Sequence, residues 1–129
     1  ERGADLGAVE EFVTQDAVAV AGVSAHGRGY GYKVWRNLLG KGVRAYAVNP
    51  KGGEIDGEPL YVSVKELPEP VGGVVTIVPP ERTLQVIEDC AAVGIRRIWM
   101  QPGSESDEAV ALAKSKGMDV VANQCLLLL

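Results

Sequence analysis

A glycine-rich loop near the start of the chain contains the residue types that hold phosphate groups in proteins. Gly22-Val23-Ser24-Ala25-His26-Gly27-Arg28-Gly29 follows an apolar run and approximates the pattern G-x-G-x-x-G. Small residues let the backbone approach an anion, and the N–H groups at a helix start point towards it. Ser24 adds a hydroxyl donor, while Arg28 and His26 add charge or further donors. The alternative is a simple tight turn, but the predicted strand and helix on either side favour phosphate binding.

A second candidate loop, Val48-Asn49-Pro50-Lys51, bears on which nucleotide is bound. NAD-binding domains usually place an acidic residue at the end of the second strand, where it holds ribose hydroxyls. No acid stands here, and Lys51 offers positive charge that suits a ribose phosphate, the 3′-phosphate of coenzyme A or the 2′-phosphate of NADP. The alternative is that Asn49-Pro50 is only a turn and that Lys51 is solvated surface.

Apolar patterns and turn residues predict strands that alternate with helices along the whole chain. Such alternation indicates a parallel sheet. We therefore expect one domain over residues 1–129, of α/β class, with a Rossmann-like doubly wound, mainly parallel sheet of about five strands and helices on both faces. The predicted strands are 17–23, 43–48, 73–78, 97–100 and 118–122, and the predicted helices are 5–13, 32–39, 81–93 and about 104–116, with a short helix at 63–67.

Open parallel sheets bind ligands at the carboxyl ends of their strands, where the strand order reverses. The loops to consider therefore begin at Gly22, Asn49, Val78, Gln101 and Asn123. Other charged and polar positions are given structural interpretations. The acids Glu88-Asp89 are expected on an exposed helix face, Cys90 in the core, and Ser104 at the N-cap of the fourth helix.

Composition limits the function classes that fit. The formal charge of −4 and the pI of about 5.0 argue against general nucleic-acid binding, which needs a broad basic face. No apolar run reaches the roughly 20 residues that a membrane helix needs. Two cysteines in no metal-like spacing predict a reducing compartment, the cytoplasm. The apolar end 126–129 is expected to be truncated, to dock on the domain or to meet a partner.

Five loops in order and spacing carry a resemblance to a known family. Gly22-Val23-Ser24, Val48-Asn49-Pro50-Lys51, Val78-Pro79-Pro80, Gln101-Pro102-Gly103 and Asn123-Gln124-Cys125 resemble the small prokaryotic CoA-binding proteins. These proteins are similar to the amino-terminal domain of the succinyl-CoA synthetase α subunit and of ADP-forming acyl-CoA synthetases. The resemblance extends from about Phe12 to Cys125.

The resemblance implies a role for each loop towards coenzyme A or an acyl-CoA. The first loop would face the phosphates, the second would contact the adenosine end and its 3′-phosphate, the third would form an apolar shelf, and the fourth would border the path of the pantetheine arm. The cofactor-binding residues so implied are Gly22, Val23, Ser24, Arg28, Gly29, Asn49, Pro50, Lys51, Val78, Pro79, Gln101 and Gly103.

Departures from the synthetase pattern narrow the expected function. The synthetases use a phosphorylated histidine from another domain and an ATP-grasp partner, whereas this sequence has one histidine, His26, in the first loop. We therefore expect a non-catalytic carrier, sensor or regulatory module. An NAD(P)-binding redox enzyme or sensor, and a protein-interaction domain with a decayed nucleotide site, remain as alternatives. A homodimer or a protein partner also stays open.

Cys125 follows the last predicted strand and is expected near the ligand edge of the sheet. Two interpretations remain: an ordinary buried cysteine, which we favour, and a thiol that forms a mixed disulfide with coenzyme A.

Overall fold

The computed structural model describes residues 6–128. The first residue of the predicted helix 5–13, Asp5, and the last residue of the apolar segment 126–129, Leu129, lie outside this range. The helices are α1 (Leu6–Val13), α2 (Tyr30–Gly40), α3 (Pro80–Ala92) and α4 (Asp107–Ser115). The strands are β1 (Ala17–Ala21), β2 (Arg44–Val48), β3 (Glu54–Ile55), β4 (Glu58–Pro59), β5 (Val74–Thr76), β6 (Arg97–Met100) and β7 (Asp119–Ala122). Two short 3₁₀ helices cover Val64–Glu66 and Leu126–Leu128.

Five strands form one parallel sheet in the order β2-β1-β5-β6-β7. Every residue of β1 and β5 is buried, because helices cover both faces of the sheet and leave two cores. Trp35 and Trp99 lie in one core, while Ile87, Cys90 and Ile98 lie in the other. The predicted fold class, a Rossmann-like α/β sheet of about five strands, is confirmed.

A small antiparallel hairpin, β3-β4, was not predicted. Its strands are two residues long, too short to show an alternating pattern, and they are joined by the turn at Asp56-Gly57. Both turn residues have positive φ, 52° and 81°, as in the primed turns that suit hairpins. The hydroxyl of Tyr32 donates to the Asp56 carboxylate at 2.7 Å and Ile55 is buried, so the hairpin is fixed against α2.

The fourth helix begins later than predicted. Ser106, not Ser104, is its N-cap, since the Ser106 hydroxyl accepts the N–H of Ala109 at 3.0 Å. Ser104 is instead buried, and its hydroxyl donates to the carbonyl groups of Thr76 and Gln101 at 3.0 and 2.9 Å. The prediction was wrong because a serine hydroxyl can pair with backbone groups of a buried loop as readily as with those at a helix start.

The start of α2 packs on the end of β1 at a distance that only glycine allows. A Cβ on Gly31 would lie 2.2 Å from the carbonyl oxygen of Gly22, and a Cβ on Gly22, whose φ is +116°, would lie 2.3 Å from that of Ile77. Gly31 therefore provides the close helix–strand packing that the third glycine of the dinucleotide pattern provides elsewhere. Gly27, aligned with that glycine by sequence, lies in a turn whose N–H donates to the Ser24 carbonyl at 3.2 Å.

Gly31→Ala is expected to lower the free energy of unfolding by about 1–3 kcal/mol, because backbone must shift to admit the new methyl group. Gly40→Ala, at the other end of α2, is the matched control, since no heavy atom lies within 4 Å of its built Cβ. Urea unfolding of both variants checks the prediction. Equal stabilities would show that Gly31 is not needed for close packing.

Candidate functional site

The carboxyl edge of the sheet brings three of the predicted loops around one cavity. The chain passes from β1 to β2 on one side and later to β5 on the other, so the strand order reverses between β1 and β5. Gly22 and Val78 follow these two strands and both line the cavity, whose volume is about 210 Å³. This is the position at which open α/β sheets bind their ligands.

The cavity is a mostly apolar slot with polar groups contributed chiefly by α3. Its apolar lining consists of Ala21, Val48, Pro50, Val62, Val64, Val78 and Val86. Its polar side chains are Ser63, Arg82, Gln85 and Asp89. Apolar walls with a few placed polar groups are typical of small-molecule sites, in which the walls bury a ring and the polar groups orient it.

The first loop presents its backbone rather than a set of charged side chains. The hydroxyl of Ser24 accepts the N–H of His26 at 3.1 Å and keeps its own proton to donate. The Val23 side chain is fully buried in the core, so only its backbone faces the loop. Arg28 and Gly29 are exposed, and Gly29 precedes α2 with no side chain capping the helix start.

The second loop is joined to the first by the side chain of Asn49. Its amide donates to the carbonyl of Val23 at 2.8 Å, and its side-chain oxygen accepts the N–H of Lys51 at 2.9 Å. This Asx turn fixes the backbone of Lys51 and leaves that side chain exposed beside Pro50, which lines the cavity. Asn49 thus braces two loops, a role that the sequence did not indicate.

The fourth predicted loop lies apart from the cavity lining. Gln101 is fully buried, and its side chain accepts the N–H of Leu126 at 2.7 Å and donates to Cys125 Sγ at 3.6 Å. The N–H of Gly103 donates to the Glu105 carboxylate at 2.8 Å. Of the third loop, Val78 lines the cavity and Pro79 is the exposed N-cap residue of α3.

The two cysteines occupy different environments. Cys90 is fully buried, as predicted, and burial raises the pKa of its thiol to about 12. Cys125 is half-buried at the carboxyl edge, where its sulfur lies 2.8 Å from the hydroxyl of Tyr30 at the start of α2. That hydrogen bond raises the pKa of Tyr30 above its ordinary value. The segment that follows β7 therefore contacts the start of α2, directly after the first loop.

One face of α3 contributes residues that sequence reasoning missed. Arg82, Gln85, Val86 and Asp89 recur at helical spacing and all line the cavity. Asp89 was predicted to be exposed, and this is wrong: its side chain is 18% exposed and bonded to neighbours. The error arose because two adjacent acids look alike in sequence, whereas successive helix positions point about 100° apart, and only Glu88 faces solvent.

Fold and cavity place the chain in the class of Rossmann-like α/β domains. The family model described as CoA binding domain matches residues 16–129, so the chain belongs to this family, and the resemblance seen in the five loops is confirmed. No helix among residues 6–128 is long and apolar enough to span a membrane.

Similar proteins include chains of about this length and much longer ligases and synthetases, of which this chain matches only a part. The acetate–CoA ligase (ADP-forming) II subunit alpha of Pyrococcus furiosus is 27% identical, covering 92% of this chain and 28% of its own length. A hypothetical protein from Pyrococcus horikoshii OT3 has a TM-score of 0.87 at 29% identity, over 95% of this chain and 86% of that one. The dinucleotide forming acetyl-coenzyme A synthetase 1 of Ca. Korarchaeum cryptofilum has a TM-score of 0.74 at 32% identity, over 87% and 27%.

Asn49→Ala is expected to lower the free energy of unfolding by about 1–2 kcal/mol, because one hydrogen bond between the loops and one within the second loop are lost. Lys51→Ala is the matched control, since its backbone N–H still donates to Asn49 and stability should not change. Urea unfolding measures both variants. If the Asn49 variant were as stable as the wild type, the bracing role would be wrong.

Proposed function

We propose that this chain binds coenzyme A or an acyl-CoA and serves as a non-catalytic carrier, sensor or regulatory module. The observation that carries the proposal is the apolar slot at the strand-order reversal, which Gly22 and Pro50 both line. A nucleotide seated there would place its base among apolar side chains and its phosphates over the amides of the first loop.

Each predicted site residue fits one part of such a ligand. Gly22, Ser24 and the loop as far as Gly29 would face the diphosphate. Lys51, held by the Asn49 turn, would meet the 3′-phosphate of the ribose. Val78 and Pro79 would support the adenosine as an apolar shelf.

The pantetheine arm would leave the slot along the exits of β5 and β6. Gln101 would act there by holding the segment from Cys125 to Leu126 in place, since its side chain is buried and bonded to that segment. Gly103 would border the same path through its backbone.

The matched region covers 28% and 19% of two ligases that resemble this chain, and we propose the non-catalytic role for this matched region alone. The sole histidine, His26, lies exposed on the first loop. Some relatives are named as alpha subunits, and we propose that this domain likewise works with a second polypeptide. The cytoplasm, a reducing compartment, would keep both cysteines as thiols.

Thermal unfolding with coenzyme A, acetyl-CoA, NAD and NADP tests the ligand class. A ligand at 100 times its dissociation constant should add about 2.7 kcal/mol to the free energy of unfolding. We expect stabilisation by coenzyme A or acetyl-CoA. A preference for NAD or NADP would overturn the assignment, and no shift with any ligand would favour a protein-interaction domain.

Lys51→Ala is expected to weaken coenzyme A binding about tenfold and to leave dephospho-CoA binding unchanged, because only the former has the 3′-phosphate. Isothermal titration calorimetry measures both affinities. Lys114→Ala, which removes an exposed charge from α4, is the control and should change neither. An equal loss for both ligands in the Lys51 variant would remove the proposed phosphate contact.

A further inference from the structure

A carboxylate lines the cavity. Helix α3 starts at the carboxyl edge of the sheet and runs back along it, so Asp89 lies further from that edge than Arg82, and Asp89 is half-buried whereas Arg82 is exposed. Seven residues of helix correspond to about 10 Å. A nucleotide with its phosphates at Gly22 would therefore direct the far edge of its base towards Asp89.

Three neighbours hold the Asp89 carboxylate in place and leave it able to accept another hydrogen bond. Oδ1 lies 3.0 Å from the amide nitrogen of Gln85 and 3.7 Å from the ammonium of Lys65. Oδ2 accepts the hydroxyl of Ser63 at 3.3 Å. An ionised carboxylate has about four lone-pair sites and no proton to donate. It can therefore bind a ligand N–H and cannot bind a ligand carbonyl.

Because the carboxylate only accepts hydrogen bonds, it distinguishes purines by the group that they carry at C6. Adenine presents an exocyclic amino group, which donates, whereas a 6-methoxypurine presents an ether oxygen, which only accepts, and has no proton on N1. An ether oxygen beside the carboxylate would set two acceptors against each other and leave both without the donors that water gave them.

We propose that Asp89 is a specificity-determining residue, which accepts a hydrogen bond from the 6-amino group of adenine and rejects purines that carry only an acceptor at C6. The inference rests on the proposed function, since it assumes that a nucleotide occupies this cavity. Ser63 and Gln85 are positioning residues that aim the carboxylate. The apolar walls Val48, Pro50 and Val86 bury the ring without distinguishing one purine from another.

The decisive comparison uses coenzyme A and its 6-methoxypurine analogue, which differ only in the amino or methoxy group at C6. Calorimetry on the wild-type chain should show the analogue binding at least about tenfold more weakly, because a partly buried acceptor is left without a donor. This measurement needs no substitution, so it stands even if a variant fails to fold.

Asp89→Asn should reduce the preference to within about threefold, because a carboxamide can turn to offer either a donor or an acceptor. Glu88→Gln is the matched control. It removes the same charge one position away, from an exposed side chain whose carboxylate pairs with Lys116 at 3.3 Å and does not line the cavity. The control should keep the full preference for coenzyme A.

The outcomes separate this inference from the proposed function. If the wild type binds neither ligand, the proposed function fails and Asp89 has no base to recognise. If the wild type binds both ligands equally, the site stands and the role of Asp89 is overturned. An Asp89→Asn variant that weakens both ligands by the same factor would also overturn it, because that pattern is the effect of losing a brace between α3 and Ser63.

Discussion

The close approach of three backbone segments at Gly22 is the constraint on which the site depends. The start of α2 lies against the carbonyl of Gly22, and Gly22 itself lies against Ile77 at the end of β5. A methyl group at either glycine would overlap a carbonyl oxygen, so the helix start could no longer sit directly above the strand ends. With the contact intact, the first loop begins at Gly22, which also lines the cavity. The proposed positions of the phosphates and of the base would thus depend on a single backbone contact.

Buried hydrogen bonds between loops maintain this arrangement at the carboxyl edge. Asn49 ties the first loop to the second, and Gln101 ties the exit of β6 to the segment that follows β7. Between them, the buried hydroxyls of Thr76 and Ser104 lie 2.8 Å apart, and that of Thr83 donates to the Ser104 carbonyl at 2.8 Å. Buried polar groups are costly unless they are paired, so each pairing opposes alternative loop conformations. Loops held in this way can present amides without a large reorganisation on binding.

The elements that could be predicted from the sequence are those that depend on residues close together in the chain. The five buried strands could be recognised from apolar runs such as Ala17 to Ala21, and their loops from the glycine and proline residues that follow. The hairpin β3-β4 could not be predicted, because two-residue strands have no periodicity. The N-cap at Ser106 was missed because Ser104 offers the same hydroxyl two residues earlier. Its burial depends on Thr76, which is distant in sequence.

A part of the cavity lining could be predicted for the same reason. Loops that directly follow strands could be placed from the sheet topology alone, so Gly22, Pro50 and Val78 were identified in advance. Which face of α3 meets the cavity depends on how the helix packs, and sequence alone left Asp89 indistinguishable from Glu88. Asn49 was expected as a ligand contact, whereas its bracing hydrogen bonds became visible only with the two loops side by side.

A domain with a net negative charge can bind a ligand that carries several phosphates if backbone amides donate to the phosphates and the acidic side chains lie away from them. The chain has a formal charge of −4, so broad electrostatic attraction of a phosphorylated ligand is ruled out. Backbone amides at a helix start attract anions locally and need no net positive charge. Asp89 lies about two helical turns along α3 from Arg82, and the ammonium of Lys65 lies 3.7 Å from its carboxylate. In the proposed binding mode the diphosphate and Asp89 would lie at opposite ends of the nucleotide, and Lys65 would offset the charge of the carboxylate.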